Sequence, residues 1–208
     1  MTRPADRRIT GAGRLAAPLS RRFHGNLDTI TDSERRALRP IGTTAYEVAA
    51  RTGVLLADLF ALPSVRIFQG VRPSAADMPR IPHAVSAGCR LVLVESVAWP
   101  PGMYAATAGG RIHCDGVYIG QSVCPLIAAV RHWRQLLPTG HRVSALVVVH
   151  RIAEGDLALP AGTARDLCWA CAEDAVRDIR ACLPRGRRAV SMRAIAALVA
   201  ATAEEENR

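Results

Sequence analysis

Glu95 stands in the middle of an otherwise apolar run, Arg90 to Trp99, where a carboxylate needs either a partner or a task. His83 opens a second extended stretch, His83 to Ala87. Its imidazole suits a metal or a core hydrogen bond, and the strand start favours the hydrogen bond. Cys168-Trp169-Ala170-Cys171 is the one CxxC pair. A structural zinc ion wants four ligands, and no second pair stands at a suitable spacing, since Cys182 lies further along and Cys114 and Cys124 are isolated. The pair is therefore expected as reduced thiols, packed into the core on one face of an alanine-rich helix from Thr163 to Leu183.

The basic residues narrow the chemistry further. All 27 are arginine, set against 18 acidic residues for a net charge of +9. Arginine stays protonated, so Schiff-base formation and any tunable amine are excluded. Gly109-Gly110 precedes a hairpin instead of a helix, which rules out a phosphate loop there, and no G-x-S-x-G elbow is present. The charge itself suits phosphate contacts that do not read bases. Arg7, Arg8, Arg21, Arg22, Arg35, Arg36 and Arg39 lie towards one end, and Arg185, Arg187, Arg188 and Arg193 towards the other.

These residues need elements to position them. Residues 1–40 are basic and poor in periodic apolar positions, which predicts a flexible or weakly docked N-terminal segment, and 41–208 reads as a single α/β domain. Thr43 to Leu62 places Val48, Leu55, Leu56, Leu59 and Phe60 at helical spacing, ended by Pro63. Strands are expected at Val65 to Val71, His83 to Ala87 and Arg90 to Trp99, with Gly88 turning between the last two. Asp115-Gly116 predicts a hairpin over Arg111 to Ile119. Pro125 to Leu137 reads as an amphipathic helix, Val143 to His150 as a buried strand, and Ser191 to Ala203 as a last helix. Trp99 and Trp133 read as packing residues. No stretch approaches a membrane span, and Met1 to Arg22 lacks the apolar core of a signal peptide, so a cytoplasmic protein is expected.

From Ala45 to His150 the chain resembles the nuclease-related domain, a branch of the restriction-endonuclease-like PD-(D/E)XK superfamily common in bacteria. The phrases that carry the likeness are Tyr46-Glu47-Val48-Ala49, Val65-Arg66-Ile67-Phe68-Gln69-Gly70-Val71-Arg72-Pro73 and Pro82-His83-Ala84-Val85. They continue with Leu93-Val94-Glu95-Ser96-Val97-Ala98-Trp99, then Pro125-Leu126-Ile127-Ala128-Ala129-Val130-Arg131, and Val147-Val148-Val149-His150. The resemblance implies a mixed central sheet flanked by helices, with carboxylates holding magnesium and a lysine beside the attacking water.

Matched residue by residue, Glu47 takes the place of the family's helix carboxylate and Glu95 that of the strand carboxylate. Pro82 replaces the metal-binding aspartate and Val97 the lysine, and Asp77 is the nearest substitute carboxylate. The resemblance thus implies a vestigial site with no bound metal, magnesium being called for only if a relocated site still works. The expectation is a catalytically degenerate nuclease-like protein that contacts nucleic acid through arginine. A protein–protein module on the same fold is the alternative reading, and an active metal-dependent nuclease a more remote one.

Overall fold

In the computed structural model, residues 22–28, 30–32, 38–72, 78–161, 166–184 and 191–203 are described. Among the described residues, ten strands and four α-helices form a mixed α/β architecture. The central sheet has six strands in the order β1-β2-β3-β4-β8-β10. These are β1 (Phe23–His24), β2 (Arg66–Val71), β3 (Ile81–Ala87), β4 (Arg90–Trp99), β8 (Arg142–Arg151) and β10 (Leu167–Cys171). β2, β3 and β4 form an antiparallel meander, and β8 pairs with β4 in parallel over its whole length. Both β3 and β4 are almost entirely buried, as their continuous Val, Leu and Ala content requires of strands covered on two faces.

Alternation along β4 sorts the core into two layers. Leu91, Leu93, Val97 and Trp99 face α2 (Cys124–Leu136) and α4 (Met192–Ala203), meeting Leu126, Trp133 and Leu198. Val92 and Val94 face the other way, towards Leu56 and Leu59 beyond α1 (Ala45–Leu56) and Ile179 of α3 (Ala175–Cys182). A smaller sheet, in the order β7-β6-β5-β9, lies beyond the end of β4. It comprises β5 (Gly102–Ala106), β6 (Arg111–Cys114), β7 (Val117–Ser122) and β9 (Leu157–Ala158). The Trp99 ring stacks on Tyr104 of β5 at 4.2 Å between centroids and so joins the two sheets.

The predicted first helix ends earlier than its apolar spacing suggests. α1 stops at Leu56 and a 3-10 turn, Ala57–Ala61, continues to the proline. Asp115 and Gly116, with φ of 49° and 82°, supply the left-handed pair of a tight hairpin between β6 and β7. α2 begins beside Pro125 as expected.

One expectation is corrected. The helix expected from Thr163 to Leu183 is instead a strand, β10, followed by the short helix α3. The spacing of Cys168 and Cys171 is helical, but parallel pairing with β8, Leu167 to Ala145 through Cys171 to Val149, overrides local propensity. Of the N-terminal segment, expected to be flexible or weakly docked, residues 22–28, 30–32 and 38–40 are described. Phe23 and His24 pair with Ile67 and Phe68 of β2, and Leu27, Ile30 and Leu38 are buried. Gly25 is required there, because a Cβ on it would lie 2.3 Å from the Gln69 carbonyl oxygen. Among the described residues no helix is long and apolar enough to cross a membrane.

Candidate functional site

Glu95 and Glu47 do not converge. Glu95 is buried on β4 and shares the parity of Leu93 and Val97, so it faces α2. It lines a cavity of about 10 Å3, room for one water, together with Leu38, Ile81, Leu126 and Ala129. Glu95 Oε1 accepts from the Ser96 backbone N–H at 3.1 Å. Glu47 belongs to α1 on the opposite face, exposed in the first helical turn. There it completes a capping box: Thr44 Oγ1 accepts from the Glu47 N–H at 3.2 Å while Glu47 Oε2 accepts from the Thr44 N–H at 3.1 Å. Hydrogen bonds from the Thr43 hydroxyl and from Thr44 hold its carboxyl below the usual range. Thr44-x-x-Glu47 is a sequence signature of a helix start, and that signal accounts for Glu47 without any metal.

The two substituted positions follow the same geometry. The β3–β4 register begins with His83 opposite Val94, next to Pro82 on one strand and Glu95 on the other. Val97 is fully buried in the layer under α2, two residues along the same face. Among the described residues Glu95 is the one carboxylate lining this cavity, and one carboxylate gives a divalent cation too few oxygen ligands. The described residues there do not fit the metal that the nuclease likeness implies. Among the described residues no group of three or more His, Cys, Asp or Glu side chains is placed to hold a metal ion. Asp77 lies outside the described residues.

The opposite face carries a buried polar chain that sequence reading does not single out. Ser96 Oγ donates to Thr52 Oγ1 at 2.8 Å, and Thr52 Oγ1 lies 2.8 Å from His150 Nε2. Thr52 Oγ1 also donates to the Val48 carbonyl at 3.2 Å, so the threonine hydroxyl has a single proton for two acceptors, and the His150 tautomer depends on which of them takes it. Burial and the nearby Arg51 guanidinium lower the His150 pKa, whereas Glu173 opposes them. Glu173 is itself ion-paired to Arg151 at 2.6 Å. A threonine on the apolar stripe of α1 and a histidine ending an apolar strand are the visible traces of this chain.

His83 is fully buried beneath Gly53 of α1, where an added Cβ would sit 3.1 Å from its Nε2. Its Nε2 lies 3.3 Å from Gln69 Nε2, and Nδ1 has no partner. Burial pushes its pKa down to about 3, so the ring is neutral at physiological pH. The cysteines differ from expectation as well. Cys168 is exposed and Cys171 and Cys182 are half-buried, instead of sharing one core-facing helix stripe. Cys168 and Cys182 line a cavity of about 330 Å3 between α3 and the β8–β10 pair.

Of the arginines expected to contact phosphate, Arg22 is engaged within the protein. Its Nε and Nη1 donate to the Val65 and Phe60 carbonyls at 3.1 Å each, its Nη2 donates to the Leu62 carbonyl, and its guanidinium lies over the Phe60 ring. Arg7, Arg8, Arg21, Arg35, Arg36, Arg185, Arg187 and Arg188 lie outside the described residues. Arg39, Arg51, Arg111, Arg131, Arg142 and Arg193 are exposed.

The fold and these contacts define a mixed α/β domain with a central sheet between helix layers. No protein-family model, curated protein or solved structure matches the chain.

Proposed function

We propose that this chain is a nuclease-like α/β domain that has lost phosphodiester chemistry and binds nucleic acid through its arginines. The observation that carries the reading is a net charge of +9 built wholly from arginine, the side chain best shaped to grip phosphate oxygens. The loss of chemistry is supported by proline at 82 and valine at 97, and by the separation of Glu95 from Glu47, which lies on the far side of the sheet.

Binding of this kind is electrostatic and follows counterion release, so affinity falls steeply with salt and varies little with base sequence. The test measures fluorescence anisotropy of labelled DNA and RNA at several salt concentrations, alongside incubation with magnesium and manganese. The expected result is binding that weakens roughly a thousandfold between about 50 and 200 mM salt, with no cleavage. Replacing Arg7, Arg8, Arg35 and Arg36 by glutamine tests the charge and leaves β1 in place. No binding at low salt would sink the reading, and metal-dependent cleavage abolished by Glu95→Ala would replace it with an active nuclease.

A further inference from the structure

The outer face of the small sheet exposes rings and cations together. Strand alternation turns Met103 and Ala105 of β5, Arg111 and His113 of β6, and Tyr118 of β7 to one side, while Tyr104 and Ile112 turn inward to the core. Tyr118 is half exposed, and Met103 more than half. The His113 and Tyr118 ring centroids are 5.8 Å apart, and the Arg111 guanidinium carbon lies 5.9 Å from the Tyr118 centroid. The Tyr118 ring is flanked by an imidazole and a guanidinium yet half exposed, which leaves ring surface accessible to another flat ring.

The charge around this face has one sign over most of its extent. β5, β6 and β7 contain no acidic residue. Asp115, in the hairpin turn, has its carboxylate tied to the Met103 N–H at 2.9 Å and the Cys114 thiol at 3.6 Å. Arg39 is exposed, but its backbone N–H and carbonyl bond the buried Gln121 side chain, which turns inward with Ile112, so it does not belong to this outer face. Exposed Glu154 and Asp156 lie just before β9, at the opposite edge. An anionic chain crossing the face is therefore drawn to the β6–β7 side.

We infer that this face binds single-stranded nucleic acid, with an unpaired base stacked on Tyr118 and the phosphates led past Arg111. The inference rests on the nucleic-acid reading above and adds the strand state. A duplex keeps its base faces stacked internally, so only unpaired nucleotides offer the surface that Tyr118 can use. Base identity matters little, since every base has a π-face.

The experiment compares an oligo-dT of about 15 nucleotides with a duplex of the same length, by anisotropy at low salt, on the full chain and its variants. Wild type is expected to favour the single strand, Tyr118→Ala to weaken that binding about tenfold with duplex binding unchanged, and Tyr118→Phe to restore it. Equal single-strand affinity in wild type and Tyr118→Ala overturns the stacking surface alone. Failure of both probes to bind overturns the nucleic-acid reading itself. As a readout that needs no variant, photocrosslinking of a bromouracil oligonucleotide to wild type is mapped by mass spectrometry. Crosslinks within Arg111 to Ser122 support the assignment, and crosslinks confined elsewhere overturn it.

Discussion

Thr52 Oγ1 lies 2.8 Å from His150 Nε2, joining residues 98 positions apart and tying α1 to the end of β8 through one buried hydroxyl. Ser96 leans on the same oxygen from β4. Thr52→Val keeps the shape but leaves the Ser96 hydroxyl and the His150 nitrogen without this partner. The expected loss is about 2–4 kcal/mol in urea-induced unfolding. A loss below about 0.5 kcal/mol would mean that the chain contributes nothing net.

His83 makes stability depend on pH in the acid range. Its pKa is about 3 in the folded chain, against an ordinary 6.5. The unfolded state takes up this proton first, so stability is whole above pH 6.5 and is lost as pH falls towards 3. The group accounts for up to about 5 kcal/mol across that window. Urea titrations at stepped pH should show a His83→Leu variant losing less stability on acidification than wild type. Parallel pH profiles would rule the ring out as the source.

Gly116 has a φ of 82° and open space where a Cβ would stand. Gly116→Ala therefore isolates the backbone cost of the left-handed turn, about 1 kcal/mol, with no clash to confuse it. A variant as stable as wild type in thermal melts would contradict the turn geometry.

Installing the aspartate and lysine that the nuclease likeness calls for should fail through folding before chemistry is reached. Val97 is fully buried between β4 and α2, so Val97→Lys forces an ammonium into an apolar layer at a cost above about 3 kcal/mol. Pro82→Asp with Val97→Lys is expected to melt well below wild type and to cleave no DNA with magnesium. A folded double variant that cleaves would show that these positions can assemble a working nuclease site.

Much of the fold was legible because burial and turn chemistry agreed with local pattern. β4 and β8 are continuous Val and Leu runs, Asp115-Gly116 announces its hairpin, and Pro125 marks the start of α2. β10 was not legible, since Leu167-Cys-Trp-Ala-Cys has no strand pattern of its own and extends only because β8 offers it a parallel edge. β1 is two residues long and β5 follows Pro100-Pro101, so neither announces itself by composition. The candidate site was half legible. Glu95 announces itself as a charge in an apolar strand, but which face each carboxylate takes depends on how α1 is laid across the sheet. No linear spacing encodes that choice.

The parallel pairing of β4 with β8 has a consequence for synthesis. Arg90 lies opposite Arg142, so the partner edge of β4 is translated roughly 50 residues after β4 itself, several seconds at about 5–20 residues per second. Through that interval the β2–β3–β4 meander presents a long apolar strand with one row of amides and carbonyls unsatisfied. The nascent chain is then most exposed to strand-to-strand association with its neighbours, and a holdase chaperone would find its clearest target there. Slowed translation between Trp99 and Arg142 should raise the insoluble fraction, and the effect should fade once β8 has left the ribosome.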